Sequence, residues 1–253
     1  EATELLVVAQ VRSGRAQRHA GAMCARGRFL SLNEQFSGLV DPGEPDPETA
    51  TYLARPVPLH STWSIWEQMQ TPADVRSAHY SDATHKMGSF GTIQEFWSIW
   101  SHLPQPSELV GGMRMVREQR NGSHPVEAVM LFREGIRPDR DDPRNADGGA
   151  MQFMLRPQLG GGQIDEYWNN LVLAMIGGTL AQGHLVNGVR LEDNLQGPKS
   201  QAALRLQVWF TNFADTERII MLQQSVVHCL TTRFDGSQGA QLHCELQQHH
   251  GKK

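Results

Sequence analysis

Residues 90–103 read FGTIQEFWSIWSHL, and the reading of this stretch decides the fold. Thr92 and Glu95 have capping-box spacing: each side chain satisfies a free backbone N–H at the start of a helix. Pro104 stops that helix. Phe96, Trp97 and Trp100 crowd onto it, although the whole chain has six tryptophans. So many rings on so short an element raise the question of whether all of them face a core.

Two further helices and several strands surround it. Ile164, Trp168, Leu171, Met175 and Ile176 recur at helical spacing and predict a helix from about 164 to 180, weakening at Gly177-Gly178. Ile219, Leu222, Val226 and Leu230 predict a third from about 215 to 232, capped by Asp215 or Thr216. STWSIW (61–66), AMQFML (150–155), VNGVRLE (186–192) and ALRLQVWF (203–210) read as strands, and residues 110–133 as two strands around an Asn121-Gly122 turn. The strand–helix rhythm of a parallel sheet is missing. The expectation is an α+β domain, an antiparallel sheet with helices gathered on one face.

The flanks differ. Residues 1–55 join a basic piece (VRSGRAQRHAGAMCARGR) to an acidic, proline-rich one (DPGEPDPETA) without a periodic apolar face. They predict a flexible arm, with the folded domain at 56–235 and a loose tail at 236–253. A chain opening on Glu1 is expected to be a fragment or a processed form, and EATELLVVAQV lacks the features of a secretory signal. No run of eighteen apolar residues suggests a membrane span. A net charge of −4 argues against a protein that coats nucleic acid. Cys24, Cys229 and Cys244 are scattered, with no CxxC or HExxH, which points to a reducing compartment and to no metal site.

Catalytic signatures are missing as well. Gly160–Gly162 precede a helix but lack the rest of a P-loop. His249 and His250 lie in the tail and are given no role. The loop GIRPDRDDPRNADGG (135–149) mixes Arg137, Arg140 and Arg144 with Asp139, Asp141, Asp142 and Asp147, and by composition alone reads as a solvated surface.

Taken in order, STWSIW, TIQEFWSIWSHL, LFREGIRPDRDDPRNADGG, DEYWNNLVLAMIGG and RLQVWF resemble translation initiation factor 4E over residues 57–232, about 70% of the chain. The resemblance implies a single domain: a curved antiparallel sheet of about eight strands backed by three helices on its convex face. It implies a binder, not an enzyme, with no cofactor. The ligand is the 7-methylguanosine cap of messenger RNA, whose cationic base an electron-rich ring attracts. The partner is a factor 4G-like scaffold or a 4E-binding protein, and the setting a cytoplasmic monomer.

Carried over by position, the first stacking ring falls seventeen residues before Trp97, at Tyr80, with His79 as the alternative. The second falls at Arg140, a departure, since no aromatic residue lies between Arg133 and Met151. Asp141 takes the acidic place that accepts from the base's N–H edge, with Asp142 as the alternative. Trp209 takes the place beside the N7-methyl group, Arg205 a phosphate-binding place, and Arg190 and Lys199 are candidates for another. On the convex face the resemblance assigns partner contacts to Val57, Pro58, Leu59, Ile93, Trp97, Asn170 and Leu173. It implies that Phe96 and Trp100 pack inward while Trp97 faces out. Gln94 and Asn170 stand where the family has glutamates, which implies a changed partner set. These departures resemble the divergent paralogues of trypanosomatid parasites. The alternative to a cap-binding initiation factor is an adaptor or translational repressor that kept the fold with weak or lost cap binding.

Overall fold

Alternating apolar residues along the strands put one side of a large antiparallel sheet against helices, as a computed structural model of the chain shows for residues 7–9, 29–39, 43–70, 83–119, 122–198 and 202–250. In chain order the elements are β1 (Val7–Ala9), α1 (Pro47–Leu53), β2 (Pro58–Met69), β3 (Thr84–Thr92), α2 (Ile93–Trp100), α3 (Pro106–Val110), β4 (Arg114–Gln119), β5 (Gly122–Arg133), β6 (Gly149–Leu155), α4 (Gly161–Ile176), β7 (Val186–Asn194), β8 (Ala203–Phe210), α5 (Thr216–Thr231) and β9 (Glu245–Gln248). The sheet runs β1-β4-β5-β7-β8-β6-β9, and β2 pairs with both β3 and β5. Register shifts in β2 and at Val186/Gly188 of β7 interrupt the ladders, the device by which sheets bend.

The three expected helices are α2, α4 and α5. Thr92 accepts from the Glu95 N–H, and Glu95 accepts in return from the Thr92 N–H. Asp215 caps α5 through the Arg218 N–H. The second helix starts at the glycine run and ends at Gly177, earlier at both ends than its apolar spacing suggested. Gly122, expected within a turn, is already paired with Gln119. Phe96, Trp100, Ile164, Trp168, Leu171, Ile219, Leu222 and Val226 meet Trp63, Ile65, Phe153, Val189, Leu206 and Val208 of the sheet in one continuous core.

Both flanks depart from expectation. Within the arm, residues 29–38 form a hook on the entry to α4. The Ser31 hydroxyl donates to Asp165 at 2.6 Å, the Asn169 amide donates to the Leu30 carbonyl at 3.0 Å, and Phe29 and Phe36 cover Gly162 and Gly161. A Cβ on Gly162 would overlap the Phe29 ring, so the glycines read as a helix entry are also the seat of the hook. The acidic, proline-rich composition also misled at Pro47–Leu53, which is helical with Asp46 as its cap. The tail, expected to be loose, adds β9 to the edge of β6. Sequence periodicity missed both the hook and β9 because each is held by a handful of long-range contacts rather than by a repeating apolar face of its own.

The hook carries a buried hydrogen bond that can be removed alone. Ser31→Ala leaves the Asp165 Oδ2 without that donor and is expected to lower stability by about 2 kcal/mol, as for other buried groups left unsatisfied. Thermal or urea unfolding checks it; an unchanged midpoint would mean that the hook does not brace the helix.

Candidate functional site

The face away from the helices is built by the other half of the alternation. Along β8, Leu204, Leu206, Val208 and Phe210 enter the core, so Arg205, Gln207 and Trp209 point the opposite way. Along β7, Val189 and Leu191 enter the core, leaving Arg190 and Glu192 on the same side as Arg205. Along β5, Met130 and Phe132 face that side and join Trp209, Ile136 and Ala150 in a second apolar cluster, with Trp66 packed against it. The result is a cleft with an aromatic floor at one end and charged groups further along.

Gly188 explains the aromatic end. It pairs with Phe132 on one side and Trp209 on the other. A Cβ there would overlap the Phe132 ring. Without one, Phe132 and Trp209 meet edge to face, their centroids 5.4 Å apart at 82°. Trp209 is buried, and its indole N–H donates to Gln207 at 3.3 Å.

The acidic loop between β5 and β6 is largely self-satisfied. Asp142 accepts from the Arg137 and Arg144 N–H groups, both at 2.9 Å, and Asp139 accepts from the Asp141 N–H at 3.0 Å. Asp147 accepts from the Thr211 hydroxyl at 3.1 Å, just beyond β8. The buried Asn145 amide donates to the Arg137 and Asp139 carbonyls, both at 2.8 Å, and accepts from Asn187 at 2.9 Å. Asp142 is therefore a scaffold residue. Asp141 differs: its side chain is 88% exposed, so its carboxylate is presented to solvent. The structure thus separates two neighbouring aspartates that the sequence alone left as alternatives. Arg140 is exposed on the same loop.

The charged end is less basic than its arginines suggest. Glu192 lies between Arg190 at 2.9 Å and Arg205 at 3.0 Å. Arg190 is buried and also donates to Gln68 at 2.8 Å, whereas Arg205 keeps about a third of its side chain exposed (32%). Glu127, lining the same end, has its pKa raised, chiefly by burial and further by Glu192, against the pull of Arg190 and Arg205. The sequence reading named both arginines and missed Glu192, although VRLED places it two residues from Arg190 and so on the same face. Tyr80, His79 and Lys199 lie outside the described residues.

On the convex face, Phe96 and Trp100 are buried and stack on each other, whereas Trp97 and Ile93 are each 38% exposed. The Trp100 indole donates to Asn169 at 3.1 Å, which fixes the face that α2 turns inward. Pro58 pairs with Thr92, and the Ile93 N–H donates to the Val57 carbonyl, so Val57, Pro58 and Leu59 run beside Ile93. Gln94 binds the backbone on both sides of Pro56, accepting from the Val57 N–H and donating to the Arg55 carbonyl. Asn170 turns toward α5, donating to the Thr232 carbonyl at 2.9 Å, and Leu173 is half-buried against the core. Both amides, Gln94 and Asn170, are thus engaged with backbone groups of the chain itself.

Among the described residues no group of His, Cys, Asp and Glu is arranged to hold a metal ion, and no helix is long and apolar enough to cross a membrane.

The family model for eukaryotic initiation factor 4E matches residues 58–253. The eukaryotic translation initiation factor 4E of Saccharomyces cerevisiae is 34% identical over 144 residues, 56% of this chain and 59% of that protein. The eukaryotic translation initiation factor NCBP of Triticum aestivum is 28% identical over 169 residues, 67% of this chain and 62% of that protein. The chain thus spans less than two thirds of the length of these relatives. Among solved structures, Ascaris suum eIF4E-3 in complex with an m2,2,7G cap aligns with a TM-score of 0.58 at 19% identity, over 79% of this chain and 94% of that one. The complex of C. elegans eIF4E-3 with the 4E-binding protein Mextli and a cap analog aligns with a TM-score of 0.56 at 20% identity, over 77% and 94%. At such identities the solved structures bear on the fold alone. With the curved antiparallel sheet, the helices behind it and a family match over most of its length, the chain belongs to the eukaryotic initiation factor 4E family.

Proposed function

We propose that this protein binds the 7-methylguanosine cap of messenger RNA in the concave cleft and meets a scaffold or 4E-binding protein on its convex face. The observation that carries the first half is Asp141, a solvent-presented carboxylate on a loop whose other acids are tied to groups of the chain itself, at the aromatic end of the cleft. A methylated guanine is a planar cation with N–H donors along one edge. A carboxylate accepts those bonds, and an aromatic floor favours the cation. Trp209 lies beside the base, and Arg205 and Arg190 face the phosphates. Tyr80 is the ring that covers the base, and Lys199 a further phosphate contact. The nematode relatives named above were solved with cap ligands, one also with a 4E-binding protein, in the same fold. The work is binding rather than catalysis, at the 5′ ends of cytoplasmic messages, and the changes at Tyr80 and Arg140 support a kinship with trypanosomatid paralogues.

A second reading is an adaptor with weakened cap binding. It is favoured by Glu192, which shares its one carboxylate between both phosphate-facing arginines. It is also favoured by Arg140, a cation where a stacking ring is expected.

The two readings separate on titration with 7-methyl-GTP and GTP, followed by tryptophan fluorescence. Saturable quenching by the methylated ligand alone is expected; no response to either would establish the adaptor. Asp141→Asn is expected to weaken 7-methyl-GTP by about 2 kcal/mol, the scale of one charged hydrogen bond. Asp142→Asn, by contrast, should act on the stability of the loop. Glu192→Gln removes the carboxylate that both arginines share, leaves Arg190 its bond to Gln68, and is expected to tighten the triphosphate several-fold through Arg205 while lowering the melting temperature, because it breaks buried ion pairs; weaker binding would show that Glu192 orients the arginines instead. On the convex face, Trp97→Ala is expected to cost a 4E-binding-protein peptide at least about 2 kcal/mol while leaving stability and cap titration unchanged. Loss of all three together would mean that Trp97 has a core role.

A further inference from the structure

The tail carries two histidines that the cleft described so far does not use. β9 brings them over the acidic loop. The His249 backbone N–H donates to the Gly148 carbonyl at 3.1 Å, and the ring centroid lies 4.4 Å from that of Trp209, tilted by 56°. His249 Nδ1 is 2.9 Å from the Asn145 carbonyl oxygen. A carbonyl only accepts, so Nδ1 carries the proton and Nε2 of the neutral ring is a bare acceptor. His249 is 8% exposed, and its Nε2 is buried with no hydrogen-bond partner among the described residues. The half-exposed His250 places its Nε2 at 3.0 Å from the Arg140 carbonyl oxygen and 3.4 Å from the Asp141 carboxylate.

The two rings grip the loop at two levels. Asn145 is the hub of the loop, since its amide holds the carbonyls of Arg137 and Asp139, and His249 holds the carbonyl of Asn145 in turn. The loop has no aromatic side chain with which to pack itself down. His249 supplies one from outside the loop and backs Trp209 with the same ring. His250 then meets Asp141, the acid that is presented to solvent.

We infer that His249 and His250 are positioning residues of the cleft, so that the tail through residue 250 belongs to the ligand site. This rests on the cap-binding reading. His249 sets the height of the loop over Trp209, and His250 aims Asp141 at the N–H edge of a planar, cationic ring. The neutral form of His249 does this work. Burial pushes its pKa below the ordinary imidazole value; the nearby Arg140 and His250 push it further, and the bond to Asn145 opposes them. Asp141 lies beyond His250, while the residue before β6 presents the Gly148 carbonyl and β8 the uncharged Trp209. A pKa lowered on folding means that the docked tail is fully favoured above about pH 6.5 and loses that advantage as the pH falls below it.

The test is titration of the full chain with 7-methyl-GTP at about pH 7.5 and about pH 5.5, the two sides of the imidazole range, with melting temperatures in parallel. His249→Ala is expected to weaken binding about tenfold, as loss of positioning commonly does. His249→Gln keeps an N–H for Asn145 and is expected to recover part of that loss and to show a smaller decline toward low pH than the unaltered chain. The ligand's own ionisations are common to both. His250→Ala is expected to weaken binding a few-fold at an unchanged melting temperature. Unaltered affinity in His250→Ala would overturn the role given to that residue. Unaltered affinity in both alanine variants, or the same pH profile in His249→Gln, would overturn the inference while leaving cap binding intact. No saturable response from the unaltered chain would overturn the cap-binding reading and this inference with it.

Discussion

The alternation of side chains along β5, β7 and β8 is the constraint on which the rest depends. Each strand sends every second residue into the core against α2, α4 and α5, and whatever stands between must line the other face. A one-residue slip in any of these strands would exchange Val208 for Trp209 and Leu191 for Arg190 or Glu192. The core then would hold charges, and the cleft would receive apolar groups such as Val208, Phe210 and Leu191 in their place. Burial on the helical side therefore sets the register, and the register delivers Trp209, Arg205, Arg190 and Glu192 to one surface together.

That surface is economical with charge. Two guanidiniums share Glu192, and the loop above consumes Asp139 and Asp142 in holding its own backbone. At the aromatic end Asp141 is exposed, with the His250 ring 3.4 Å from its carboxylate, and at the other end Arg205 is partly exposed. The opposite face of the sheet is arranged differently. There, the inward turn of α2, pinned by Phe96, Trp100 and the bond to Asn169, leaves Trp97 and Ile93 as a partly exposed apolar pair at the surface.

Much of this could be read in the sequence. The capping box set the start of α2, and the apolar stripes located α4 and α5 to within a few residues. The alternation of ALRLQVWF and VNGVRLE placed the cleft residues on a common face once the strands were paired. The same alternation would have placed Glu192 beside Arg190, had the acid been weighed with the bases. The hook at 29–38 and the strand β9 were not legible, because neither has an apolar period. Ser31, Asn33, His249 and His250 are polar residues whose value comes from partners more than seventy positions away.

By itself, then, the sequence determined the three main helices, the central strands, their order and the family, since capping, periodicity and motif spacing are local properties of the chain. Which aspartate of the loop is presented, how the two arginines share Glu192, and that the tail lies beside Trp209 and the loop were decided only by the tertiary structure. Hydrogen bonds and ion pairs have short reach, and their partners are chosen by how the sheet brings distant segments within about 3 Å of one another.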